Sequence, residues 1–97
     1  MDAAEMKAQR KAKIKEIISN VTNIDPGEIG DTTSFTKELG LDSLSLLEIG
    51  VDVDYEFKLE LPEERMRGLD SVEQTLALVE ERLEERLGER ADRAEVA

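Results

Sequence analysis

The sequence predicts a small all-α bundle of four helices, three long and one short, with a long ordered loop between the first two. Three observations predict it. The chain has 97 residues, enough for one domain, and its apolar content is aliphatic, with no Trp, one Tyr and two Phe. A core of that kind suits packed helices better than a sandwich of sheets. Apolar residues recur at helical spacing in three segments. The one segment that also alternates like a strand has no convincing partner strand elsewhere in the chain.

The first helix is expected over Ala3–Val21. Ala, Lys, Glu, Gln and Arg dominate it, and Ile14, Ile17, Ile18 and Val21 fall at i, i+3, i+4 and i+7. Ser19-Asn20 and Thr22-Asn23 lower helix propensity and end it. Asn23 to Lys37 then reads as a loop. Asp25-Pro26-Gly27-Glu28 has a capping residue followed by Pro at a first helical position, which predicts a single helical turn. Ile24, Ile29 and Phe35 stand singly in polar sequence and are expected to pin the loop to the core. Loops this long in compact domains are uncommon and frequently functional.

Ser43 to Leu61 carries two competing periods. Ile49, Val51, Val53, Tyr55, Phe57, Leu59 and Leu61 alternate strictly, a strand signal. At ~100° per residue the same segment instead gives two apolar stripes. One holds Leu46, Ile49, Gly50, Val53 and Phe57. The other holds Leu44, Leu47, Val51 and Tyr55, edged by Glu48, Asp52 and Asp54. A helix is expected because a strand would have nothing to pair with, and Gly50 marks a close contact. Pro62 to Gly68 has Pro at a start position, acids in the first turn and Gly at the end, which predicts a short helix. Asp70 or Ser71, with Glu73 or Gln74 as the reciprocal member of a capping box, starts the last helix. Its stripe is Val72, Leu76, Val79 and Leu83, prolonged by Leu87. Gly88 is expected to stop it, leaving a core over about residues 4–87 and a disordered tail over 88–97.

Composition removes whole classes of function. Without Cys there is no disulfide, thiolate metal site or thiol nucleophile, and without His the commonest general base and metal ligand are missing. Carboxylates alone would need a concave, desolvating site that a small bundle seldom provides, so neither catalysis nor a metal site is expected. The net charge of −11 argues against nucleic acid. It is unevenly spread: residues 1–15 carry a net +3 and the remainder −14. No run has the length of a membrane span, and the N-terminus lacks a signal peptide's apolar centre. A monomeric cytoplasmic protein is expected.

The chemistry then falls on Glu38-Leu39-Gly40-Leu41-Asp42-Ser43-Leu44, a glycine-containing loop that delivers a serine to a helix start. On the residues alone Ser43 is either a helix N-cap or a modification site. The motif, the anchors Ile24-Asp25-Pro26, Ile29 and Phe35, Glu48, Leu59-Glu60-Leu61-Pro62, and Leu69 with Val72 all lie within Ile17–Leu87. Through them the chain resembles the acyl carrier protein family.

The resemblance implies that Ser43 bears a covalent 4′-phosphopantetheine whose terminal thiol carries acyl groups as thioesters, with Asp42 and Leu44 as flanking motif residues. It implies a carrier, modified by a phosphopantetheinyl transferase and serving acyl-transferring and ketosynthase-type enzymes in trans. Leu44, Leu47, Glu48, Val51 and Asp54 match positions that family members present to partners, whereas Tyr55 departs from a pattern that often has an acid there. Leu46, Val53, Phe57, Met66, Leu69 and Val72 would line an acyl chamber. Leu41 before Asp-Ser-Leu is more similar to fatty-acid and polyketide carriers than to peptidyl carriers, which more often show Gly-Gly-Asp-Ser. Starting at Met1 with no second domain, the chain is expected to be free-standing. The alternatives are an aminoacyl or peptidyl carrier, and an acidic helical adaptor in which Ser43 is only a cap.

Overall fold

The computed structural model describes the backbone of residues 2–96 and the side chains of residues 2–88. Four α-helices form the bundle: α1 Ala3–Thr22, α2 Ser43–Phe57, α3 Glu63–Arg67 and α4 Val72–Val96, with a 3₁₀ turn at Pro26–Glu28 inside the first loop. The segment with two periods is therefore helical, and no strand occurs among the described residues.

Each helix begins and ends where local chemistry dictates. Asp2 caps α1 by accepting from the Glu5 N–H at 2.8 Å. Asn23, at φ 63, takes the left-handed conformation that closes α1, its N–H donating to the Ser19 carbonyl. The Asp25 carboxylate accepts from the Gly27 N–H at 2.8 Å and starts the 3₁₀ turn. At α4, Ser71 Oγ accepts from the Gln74 N–H while the Gln74 side chain accepts from the Asp70 N–H, the expected reciprocal box shared over two residues.

The core is aliphatic, as the composition required. Ile14, Ile17 and Ile18 of α1 meet Leu46, Ile49 and Val53 of α2 and Val72, Leu76 and Val79 of α4. The loop contributes Ile29 and Phe35, both essentially without solvent contact, and the α2–α3 connection contributes Leu59 and Leu61. Burying a side chain such as Phe35 stabilises by ~1.5–3 kcal/mol relative to leaving it exposed. In a domain of this size that is a substantial share of a total of ~5–15 kcal/mol. Gly50 lets α2 and α3 touch: a Cβ there would lie 2.6 Å from Met66 Cβ and 3.2 Å from its Cα.

Two expectations about element ends change. Gly88 does not stop α4, which continues to Val96. A single Gly costs a helix ~1 kcal/mol, and the Glu, Arg and Ala that follow favour helix enough to outweigh it. Ala97, the last residue of the expected tail, lies outside the described residues. Phe57, placed on the core face by its spacing, is only half-buried because α2 ends at this turn and the bundle opens there.

Candidate functional site

The loop from Asn23 to Asp42 has little regular structure but is firmly held. Asp70, at the start of α4, receives the Ser34 hydroxyl at 2.7 Å, the Thr36 N–H at 3.0 Å and the Thr36 hydroxyl at 2.9 Å. Its backbone carbonyl accepts from the Phe35 N–H at 2.7 Å. Those donors, the Ser34 hydroxyl first and then the Thr36 N–H, hold the Asp70 carboxyl below the usual carboxylate range. Further back, Asp31 takes ion pairs from Lys11 at 2.8 Å and Lys15 at 2.9 Å, which hold its carboxyl low as well. The Asp31 carbonyl also accepts from the Glu73 N–H at 2.9 Å. Lys11 and Lys15 are two of the basic residues that make the N-terminal segment positive, so part of that charge fastens the loop.

The loop ends in a turn that sets the serine. Gly40 has φ 67, a conformation that side-chain-bearing residues avoid. The next N–H, of Leu41, donates to the Phe35 carbonyl at 2.9 Å. Asp42 then adopts extended backbone and caps α2, its carboxylate accepting from the Ser45 N–H at 2.8 Å. That N–H, followed by the Ser45 hydroxyl, holds the Asp42 carboxyl below its ordinary value. The cap is therefore Asp42, not Ser43. Ser43 is the first helical residue, is exposed, and makes no side-chain hydrogen bond among the described residues.

Behind it, the outer face of α2 is apolar and acidic. Leu44 is 63% exposed, Val51 48% and Tyr55 84%. Leu47, Glu48, Val51 and Asp52 line a shallow depression, which puts Asp52, read from the sequence as edging the stripe, beside three residues matched to partner positions. Leu47 is half-buried and also packs against the core. Val51 and Tyr55 do not tuck under the loop. The Asp54 carboxylate accepts from the Leu61 N–H at 3.0 Å and so also holds the α2–α3 connection. That contact depends on positive φ at Lys58 and Glu60, which folds the chain back toward α2 and is not visible in sequence spacing. Of the residues expected around an acyl chamber, Leu46, Val53, Met66, Leu69 and Val72 are buried, and Phe57 faces a different depression.

A serine at a helix start, with its hydroxyl uncommitted, fits a phosphodiester. First-turn N–H groups and the positive end of the helix dipole favour an anion there by ~0.3–1 kcal/mol at an exposed site. Asp42 already satisfies the Ser45 N–H, so Ser43 can be modified without uncapping the helix. Among the described residues no cluster of carboxylates is placed to hold a metal ion, and no helix is long and apolar enough to cross a membrane.

Comparison with known proteins decides the family. A family model described as a phosphopantetheine attachment site matches residues 12–79. The meromycolate extension acyl carrier protein of Mycolicibacterium aurum is 38% identical over 74 residues, covering 76% of each chain. The chain belongs to the acyl carrier protein family. An acyl carrier protein of Rhodococcus erythropolis is 33% identical over 69 residues, 71% of this chain and 76% of the relative. The meromycolate extension acyl carrier protein of Mycobacterium tuberculosis H37Rv is 40% identical over 74 residues, but the match spans only 64% of that relative's length. The covalent group of this family is 4′-phosphopantetheine.

Proposed function

We propose that this chain carries acyl intermediates as thioesters on 4′-phosphopantetheine joined to Ser43, and hands them to enzymes that dock on the outer face of α2. The observation that carries the reading is the exposed Ser43 hydroxyl, left free because Asp42 does the capping. That also weighs against an adaptor in which Ser43 is merely a cap. The group supplies the thiol that a chain without Cys lacks. Ser43 supplies the oxygen of the phosphodiester. It has no base beside it, so a phosphopantetheinyl transferase must take its proton and provide any metal. The transferase would meet Asp42 and Leu44 first.

Docking on Leu44, Leu47, Glu48, Val51 and Asp52 has the form of a weak specific interface, an apolar centre with a charged rim. Acyl-transferring and ketosynthase-type enzymes with a basic rim are the expected partners, met in the cytoplasm by a monomeric carrier. The similarity to carriers named for meromycolate extension, together with Leu41 before the Asp-Ser-Leu motif, favours fatty-acyl cargo over polyketide or aminoacyl cargo.

Coexpression with a broad-specificity phosphopantetheinyl transferase, followed by intact mass measurement, tests the attachment. One phosphopantetheine is expected on the wild-type chain and none on Ser43→Ala. An unmodified chain, under conditions that load a control carrier, would sink the proposal. Mass spectrometry of the protein from its native host would then read the cargo directly.

A further inference from the structure

The far end of α2 carries a surface of opposite character. Arg10 of α1, Phe57 and Lys58 at the end of α2, and Leu83, Arg86 and Leu87 of α4 line one groove. A second depression, lined by Met6 and Gln9, shares Arg10 and Phe57 with it and prolongs the trough along α1. Its floor is Phe57, half-buried, with Leu83; its open side is Leu87, 68% exposed, and Met6, 40% exposed. Among the described residues three cations and no acid line the trough, in a chain whose net charge is −11. Arg86 is ion-paired with Glu60, whereas Arg10 and Lys58 have no ion pair among the described residues. The depression beside Leu47 and Val51 shows the reverse, two acids and no base.

We propose that this trough is a second docking surface, for an acidic, apolar-anchored segment of a partner protein. Charge selects the sign of the occupant. Unpaired cations beside a half-buried Phe and exposed Met and Leu would attract carboxylates carried on an apolar stripe, and Met, Arg and aromatic residues are enriched in protein interfaces. Shape selects a macromolecule over a free small molecule, whose sites enclose most of the ligand, while this trough is open along α1 and α4. The trough lies about 21 Å along α2 from Ser43, from the helical rise over fourteen residues. A basic partner on the acidic face and an acidic partner here could therefore bind together. Nothing in this depends on whether Ser43 is modified.

The test uses the full chain, isotope-labelled for amide NMR, and a synthetic amphipathic helix with a leucine stripe and a glutamate face. The expected result is shifts at Arg10, Phe57, Lys58 and Leu87, with Ser43–Val51 unaffected, and weaker binding as salt rises. Arg10→Glu with Lys58→Glu should weaken binding at least about tenfold. The milder pair Arg10→Gln with Lys58→Gln should give an intermediate loss if the reversal impairs folding. The same helix with lysine for glutamate should move signals on the α2 face instead. No shift at the trough, or unchanged affinity in the charge variants, overturns the proposal. So does movement of these signals by phosphatidylglycerol vesicles but not by the acidic helix, which would mark a lipid-facing surface. Movement on dilution of the protein alone would assign the trough to a second copy and overturn it equally.

Discussion

The loop from Asn23 to Asp42 and the outer end of α4 reverse the usual association of regular structure with firm packing. The loop has one 3₁₀ turn, yet it buries Ile29 and Phe35 completely and is clasped by Asp70 and Asp31. The end of α4 is unbroken helix, yet among its described side chains Leu83 is the last packed against the core and Leu87 is mostly exposed. Order in the loop that leads to Ser43 therefore comes from side chains reaching across the chain. Around Leu87, mostly exposed, helix propensity carries more of the order.

Removing the loop's deepest anchor should have the largest effect. Phe35→Ala takes out a fully buried ring, and ~3–5 kcal/mol is expected from lost transfer and the cavity left behind. Urea denaturation followed by circular dichroism measures it. A loss below ~1 kcal/mol would mean that the loop is not part of the core. Phosphopantetheinylation should fall too, because the Phe35 carbonyl holds the Leu41 N–H just before Asp42.

A helix contact of the firm kind gives the next effect. Gly50→Ala would gain ~1 kcal/mol in helix propensity but drive a methyl to 2.6 Å from Met66 Cβ. Overpacking typically costs ~1–3 kcal/mol, so a net loss and a displaced α3 are expected. Amide shifts confined to α2 and α3 would show it, and an unchanged or raised melting temperature would contradict the close approach.

The sequence made the helices legible because their stripes are local. Ile14, Ile17 and Ile18, or Val72, Leu76 and Val79, announce one buried face by spacing alone, and Gly50 announced its close contact. Single anchors such as Phe35 were legible because an aromatic in a polar run has few other uses. Asp70 was read only as a helix cap, since its partners Ser34 and Thr36 lie 36 and 34 residues away. Asp42 and Ser43 are neighbouring residues that both cap well. The turn at Gly40 and the Leu41–Phe35 hydrogen bond decide between them, and neither is written in local pattern. The hydrogen bond from the Leu61 N–H to Asp54 was not legible for the same reason, because the fold-back through Lys58 and Glu60 is a tertiary event.

Asp70→Asn loosens the clasp without opening a cavity. The amide keeps one acceptor for the Thr36 N–H and loses the charge, so faster hydrogen exchange at Phe35, Thr36 and Leu41 is expected, with little change in α4. The pH dependence has a definite sign. Asp70 is held below its ordinary value in the fold, so its contribution is complete above the unfolded value near 3.8 and is lost as pH falls through the lower folded value. Asp31 and Asp42 are shifted the same way. Acid melts of the wild type should therefore steepen below that value, and Asp70→Asn should flatten part of the slope. Equal slopes would show that the clasp contributes nothing.

The smallest effect is expected at the end of α4. A chain ended after Gly88 keeps Leu83 and the trough residues Arg86 and Leu87, and loses the helix that follows Gly88. Stability should change by less than ~0.5 kcal/mol, the usual range for surface changes away from buried features. The far-ultraviolet signal should drop in proportion to residues 89–96, and loading of Ser43 should be unaffected. A loss of several degrees in melting temperature would mean that residues beyond Gly88 pack on the bundle, and the contrast with the loop would narrow. A full helical signal without them would mean that this end is helical only in part. If neither occurs, the same chain holds its irregular segment by tertiary contact and its last turns of helix by propensity, and only the first governs how Ser43 is presented.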